Sequence, residues 1–232
     1  MQLASKEGSM EDNKPFFRNY PIVKFPKGET IFLQDEIPRY IYSIKSGIVE
    51  ASNSTHSGNH QCISFEVVGD IFPKSWAFSK TTKTIFDYKA FTNCELYVID
   101  KSNFLLKLVD DIDFVNRMLS HAISSLEGAR LQVDALEKPN AKLKLLYTFR
   151  YLCLLYGKEI DKDIVRIQLP LTQQEIADIV GLTRETTSKE LSILKIEKVI
   201  SRERKYYSIN TQVLRNFIDD DFNPGISVNL FY

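Results

Sequence analysis

Between Phe16 and Asp100 the apolar positions come in short alternating runs. In CISFEVV, Ile63, Phe65 and Val67 take one face and Cys62, Ser64 and Glu66 the other. TIFDYKAF and CELYVI alternate in the same way. A period of two is the mark of a half-buried strand. Glycines at 28, 47, 58 and 69 separate the runs, where turns need positive φ. Short strands at this spacing predict a small antiparallel barrel or roll over residues 16–110, preceded by a flexible tail over 1–15.

The period changes near Ser102, which is placed to cap a short helix, NFLLKLV. A long helix is then predicted from Asp111 to Lys138, without proline and with one glycine, Gly128. Val115, Leu119, Ala122, Leu126, Ala129, Val133 and Leu136 recur at alternating steps of four and three. This is the a/d seam of a coiled coil, and it predicts a homodimer along 111–138. A helix packed on its own domain satisfies the same period. Pro139 ends the seam, Asn140 caps a further helix through Leu155, and Gly157 closes it. A polar loop, KEIDKD, then leads to a strand, IVRIQL.

The segment LTQQEIADIVGLTRETTSKELSILKIEKVI, Leu171 to Ile200, has the punctuation of two helices meeting at a tight turn. Thr172 and Glu175 form a capping box. Ala177 is small where helices cross, and Gly181, four residues on, suits a left-handed turn. Ile176, Val180 and Leu182 supply the buried side. Thr183 caps the second helix, and Leu191 and Leu194 tie down its inner face. Arg184, Glu185, Thr187, Ser188 and Lys189 stand at its N-terminal end, with Thr172 and Gln173 nearby on the first helix. These side-chain types can read base edges and phosphates in a major groove. A hairpin, VISRERKYYSIN, follows with Arg202, Arg204 and Lys205 and reads as a wing for phosphate contacts. The elements after Pro139 place a winged helix-turn-helix in 139–232.

Charge sharpens this locally rather than globally. The 232 residues carry 30 Lys+Arg against 30 Asp+Glu, so net charge gives no hint of nucleic acid. From Arg184 to Lys205, however, seven basic residues face four glutamates, a local excess where a groove would lie. No run approaches the roughly 20 apolar residues of a membrane helix, and the polar start lacks the apolar core of a secretory signal. Three scattered cysteines, Cys62, Cys94 and Cys153, suit a reducing cytoplasm rather than a disulfide framework.

These residues resemble the Crp/Fnr family of bacterial transcription regulators over nearly the whole chain, from about Phe16 to Asn210. LTQQEIADIVGLTRETTSKEL is the family's C-terminal signature. FPKGETIFLQDEIPRYIYSIKSGIVE and VVGDIF are similar to the first strands of its cyclic-nucleotide-binding β-roll. The resemblance implies an α+β chain: an N-terminal antiparallel β-roll, a long dimerisation helix and a C-terminal winged helix-turn-helix. It further implies a homodimer on double-stranded DNA and admits RNA polymerase as a partner. By resemblance, Glu185 accepts from cytosine and Lys189, standing where Arg is usual, donates to guanine. Arg184 reaches a guanine or a phosphate, and both stay open.

The departures concern the effector. Cyclic-nucleotide sensors of the family hold ribose and phosphate with a Gly-Glu pair and a later Arg-Ser or Arg-Thr pair. Here Phe72-Pro73 replaces Gly-Glu, and no arginine falls between Arg39 and Arg117. A phosphate cradle needs permissive glycine and a bidentate clamp needs arginine, so cAMP is not the expected effector. Lys74 or Lys83 can hold another small anion beside Phe72 and Trp76; equally, all four can be ordinary roll residues. The three cysteines do not supply the iron–sulfur cluster of oxygen-sensing relatives. His56, His60 and Cys62 are close in sequence but too few for a structural metal site, so no metal and no cofactor are expected. A β-roll enzyme would need inward His and carboxylate clusters, and the chain holds three histidines in all.

Overall fold

A computed structural model describes residues 14–54, 60–78 and 80–218. The chain divides into two compact units between Ala122 and Ile123, a limit inside the long helix.

The first unit opens with α1 (Lys14–Phe17), so the chain is already helical at the end of the expected tail; residues 1–13 lie outside the described ones. Its strands are β1 (Ile22–Phe25), β2 (Thr30–Phe32), β3 (Ile41–Ser46), β4 (Val49–Ser54), β5 (His60–Glu66), β6 (Ile71–Phe72), β7 (Asp87–Ala90) and β8 (Cys94–Ile99), with α2 (Lys74–Ala77) after β6. They form two antiparallel four-stranded sheets, ordered β1-β8-β3-β6 and β2-β7-β4-β5. Phe32, Val49, Ala51, Tyr88 and Ala90 of one sheet bury against Ile44, Phe72, Cys94 and Leu96 of the other. This is a β-roll with its core between the sheets. Gly47 turns β3 into β4 at φ +94°, and a Cβ there would come within 2.4 Å of the Asn93 carbonyl.

Two expectations need correction in this unit. The strict alternation of CISFEVV fails because β5 carries an extra residue. Ala51 pairs with Ser64 and Ser52 with Cys62, so Ile63 is bulged. A bulge shifts the phase of the side chains, which leaves Cys62, Phe65 and Glu66 all buried. The helix after β8, α3 (Lys101–Asp110), begins two residues before the expected site. Asp100 is its N-cap, and Ser102 lies inside it.

A second apolar cluster lies under the helices. Phe16 and Phe17 of α1, Phe104 of α3 and Phe114 of α4 (Ile112–Glu137) close over Ile41, Ile71, Tyr97 and Ile99. Phe16 and Phe114 stack at 3.8 Å. Asp111 caps α4 by accepting the Phe114 N–H at 2.8 Å.

The second unit holds α5 (Ala141–Tyr156), whose N-cap Asn140 accepts from the Leu143 N–H at 2.9 Å. Gly128 of α4 sits against Leu155; an added Cβ would meet Leu155 Cδ1 at 2.5 Å. Next come β9 (Gly157–Asp161), β10 (Ile164–Ile167), α6 (Gln173–Val180), α7 (Arg184–Ile196), β11 (Ile200–Glu203), β12 (Tyr206–Asn210) and α8 (Thr211–Ile218). The strands form one antiparallel sheet, β11-β12-β10-β9. Most of the expected loop KEIDKD is therefore strand β9. All five of its residues are exposed, and an edge strand with no buried face has no alternation to betray it.

Candidate nucleic-acid interface

Helices α6 and α7 are set by local hydrogen bonds between side chains and backbone. The Thr172 hydroxyl accepts from the Glu175 N–H at 3.2 Å, and the Glu175 carboxylate accepts from the Thr172 N–H. Both halves of the capping box are thus made. Gly181 ends α6 at φ 69°, ψ 36°, a left-handed conformation that costs a residue with Cβ about 1–2 kcal/mol. The N–H groups of Gly181 and Leu182 both return to the Ala177 carbonyl. Thr183 caps α7, its hydroxyl accepting from the Thr186 N–H at 3.2 Å. Ile176, Ala177, Val180, Leu191 and Leu194 are buried, and Leu182 is half-buried.

This arrangement leaves the start of α7 open to solvent. Arg184, Glu185 and Lys189 are exposed and Ser188 is half-buried. Together with Gln173 and Ser192 they line an open groove of about 620 Å³. Ser192 is absent from the residues expected from sequence, although it stands four after Ser188, one turn along the same face; its hydroxyl donates to the Ser188 carbonyl at 2.9 Å. Thr187, expected among the DNA contacts, is instead fully buried, and its hydroxyl has no hydrogen-bond partner among the described residues. Its position explains this: 187, 191 and 194 follow steps of four and three along the inner face.

Behind the groove, Lys142 of α5 pairs with Glu197 at 2.6 Å and lies 4.5 Å over the Phe217 ring of α8. The C-terminal end of α7 is thereby fixed. The wing hairpin β11–β12 turns at Arg204, φ 55°. Arg202, Arg204 and Lys205 are exposed, and the Arg202 guanidinium lies 5.0 Å over Tyr207.

Two family models match the two halves of this geometry: a cyclic nucleotide-binding domain over residues 22–110 and a Crp-like helix-turn-helix domain over residues 149–217. The chain belongs to the Crp/Fnr family of transcription regulators. The transcriptional activator protein FnrL of Cereibacter sphaeroides is 24% identical over 231 residues, 97% of this chain and 89% of FnrL. The cAMP-activated global transcriptional regulator CRP of Salmonella typhimurium is 27% identical, over 82% of this chain and 90% of CRP. Among solved structures, a CooA mutant from Carboxydothermus hydrogenoformans superposes with a TM-score of 0.73 at 19% identity, covering 93% of this chain and 97% of that one. The relatives are regulators rather than enzymes. No helix among the described residues is long and apolar enough to cross a membrane.

The roll interior of this Crp/Fnr regulator is filled with aromatic side chains. Phe72 is fully buried and lies between Tyr42 and Tyr88, stacked at 5.6 and 5.1 Å. It fills the core. Lys74 is no free anion receptor either, because its ammonium donates to the buried carboxylate of Glu66. Burial would lower the Lys74 pKa, but Glu66 and Asp70 raise it above the ordinary lysine value. Burial would likewise push the Asp70 carboxyl up. Lys74, His121 and the Val67 N–H outweigh it and hold the carboxyl below the usual range. His121 Nε2 of α4 lies 2.9 Å from Asp70 Oδ1. Of the four expected effector residues, Trp76 and Lys83 line one cleft. The four do not make one site, because Phe72 and Lys74 are committed to packing and to an internal ion pair.

Along α4 the expected seam is largely open. Leu119, Leu126 and Val133 are 59%, 54% and 55% exposed. Ala122 and Ala129 are also exposed, and Val115 and Leu136 are half-buried. Ile112, 67% exposed, falls three residues before Val115 and extends the same stripe by one position. Of the sequence neighbours His56, His60 and Cys62, His56 lies outside the described residues, and Cys62 is buried on β5.

Proposed function

We propose that this Crp/Fnr regulator acts in the cytoplasm as a homodimer, joined along the exposed apolar stripe of α4. Two copies would bury Leu119, Leu126 and Val133 against their equivalents, removing surface that is costly to leave in water. A two-fold dimer sets two copies of α7 about 34 Å apart, in successive major grooves. Its operator is therefore an inverted repeat. The observation that carries this reading is the solvent-exposed set Arg184, Glu185 and Lys189 at the capped start of α7.

Glu185 accepts from a cytosine amine and Lys189 donates to guanine, while Arg202, Arg204 and Lys205 hold phosphates. Lysine lacks the planar fork of arginine, so discrimination at that base pair is weaker than a bidentate arginine would give. Bound to DNA, the dimer would present its remaining surface to RNA polymerase. The effector is a small molecule other than cAMP. A second reading, a regulator of this architecture without any ligand, is favoured by one observation, the aromatic filling of the roll by Tyr42, Phe72 and Tyr88.

Binding assays on operator variants at fixed salt test the DNA reading. Lys189→Ala should cost on the order of 1–3 kcal/mol on the cognate half-site and relax preference at one base pair. Arg204→Ala should weaken all sequences alike and flatten the salt dependence. If Lys189→Ala and Glu185→Ala both leave base preference unchanged, α7 is not the reader.

A further inference from the structure

The packed interior leaves one open, cation-lined cleft in the first unit among those found in the described residues. It has a volume of about 670 Å³, within the range of small-molecule pockets. Its charged lining is Lys80, Lys83 and Lys101 against a single carboxylate, Asp35. Lys80 and Lys83 are exposed, and no ion pair among the described residues engages either. Lys101 is held in place: its ammonium donates to the Trp76 carbonyl at 2.6 Å and lies 4.6 Å over the indole.

The floor is also fixed. The Thr84 hydroxyl donates to the Leu33 carbonyl, its N–H to the Glu36 carbonyl at 2.8 Å, and the Asp35 N–H returns to the Thr84 carbonyl at 3.0 Å. Ile85, 42% exposed, adds an apolar wall. Excess positive charge beside apolar surface suits a ligand with an acidic head and an apolar body.

We infer that this cleft binds a small amphiphilic organic anion, its acidic head on Lys80, Lys83 and Lys101 and its body against Ile85 and Trp76. The inference rests on the reading of the chain as an effector-responsive regulator and gives that effector a chemical class. It also gives a route for the signal. Lys101 is the first residue of α3, and α3 passes through Asp111 alone into α4. A ligand drawing Lys101 toward Lys80 and Lys83 moves the element that sets the start of the dimer seam.

Trp76 is the only tryptophan in the chain, so its fluorescence reports the cleft directly. The full chain is titrated with hexyl phosphate, hexanoate, inorganic phosphate and hexanol, and operator binding of the ligand-free protein is measured in parallel. At least one of the two hexyl anions should change Trp76 emission saturably, and hexanol should not at equal concentration. The double variant Lys80→Gln/Lys83→Gln should raise the midpoint at least tenfold, roughly the loss of one charge-assisted contact or more, with ligand-free operator binding unchanged. No saturable change with either hexyl anion into the millimolar range would overturn the inference. So would equal midpoints for wild type and double variant, or inorganic phosphate binding as tightly as hexyl phosphate. Any of these results with operator binding intact rejects the cleft and leaves the DNA reading standing. Loss of sequence-specific operator binding in the unmodified chain rejects the DNA reading itself.

Discussion

Removing the Phe72 ring tests whether the roll interior is closed by packing. The side chain is fully buried and contacts two aromatic faces, Tyr42 at 5.6 Å and Tyr88 at 5.1 Å. Phe72→Ala forfeits the transfer free energy of the ring and leaves a void that Tyr42 and Tyr88 cannot both collapse into, since each is paired with Phe32 as well. Phe→Ala in such a site costs about 3–5 kcal/mol, of which aromatic stacking supplies about 0.5–1.5 kcal/mol. With a urea dependence of about 2 kcal/mol per molar, the midpoint should fall by roughly 1.5–2.5 M. Trp76 packs against the core of the same unit, so its emission follows unfolding of the roll independently of the second unit. Wild type and variant are compared at one protein concentration, because association would otherwise shift the midpoint. A loss below about 1 kcal/mol would mean that the ring does not fill the core, and the argument against an interior ligand site would fail with it.

Three further outcomes follow from the other elements. Leu126→Asp sets two like charges in the proposed apolar seam, where unpaired buried charge is costly; light scattering should find a monomer, and a stable dimer would sink the seam. Thr187→Val keeps the shape of a buried side chain and removes a hydroxyl without a partner, so stability should rise by about 1 kcal/mol with base preference unaltered, and a changed preference would return Thr187 to the DNA contacts. Burial pushes the Cys153 thiol up to about 12 from 9. The stability tied to that proton is fully present below pH 9 and is lost as pH rises from 9 towards 12, at about 1.4 kcal/mol per unit. Native protein should resist iodoacetamide at Cys153 at pH 8 and react once unfolded; rapid native labelling, followed by mass spectrometry, would contradict the burial.

What the sequence made legible was set by near neighbours. Thr172, Glu175, Gly181 and Thr183 act within four residues of themselves, so their spacing alone specified two capped helices and the turn between them. Asn140 and Gly157 bounded α5 for the same reason. Failures arose where a distant partner decides. The Ile63 bulge exists only in relation to β4, and β9 is a strand because β10 pairs with it, not because of any face it buries. Thr187 was different: its step of four to Leu191 was visible, but the cluster of polar residues around it outweighed the periodicity. The effector region was legible as a departure, since Phe72-Pro73 stands where the resemblance expects Gly-Glu and no arginine falls between Arg39 and Arg117. What replaced the clamp was not, because Lys74 finds Glu66 eight residues away and Phe72 finds Tyr42 thirty residues away.

The same long-range contacts leave one face of α4 on the roll and another open for the proposed partner copy. At about 100° per residue, Phe114, Met118 and His121 lie along one stripe of α4. That stripe faces the roll: Phe114 stacks on Phe16, Met118 packs on the cluster beneath, and His121 meets Asp70. Val115, Leu119 and Ala122 lie roughly 100° further round and remain largely open. These three attachments, spread over residues 114–121, fix both the position and the rotation of this segment. Tyr42, Phe72 and Tyr88 stack within the roll core. In the proposed effector-responsive regulator, a signal would act where α3 joins α4, or through the contacts Lys74–Glu66 and His121–Asp70 beside the helix. In the proposed dimer, a small rotation there would carry Val115 and Leu119 out of register with the partner helix.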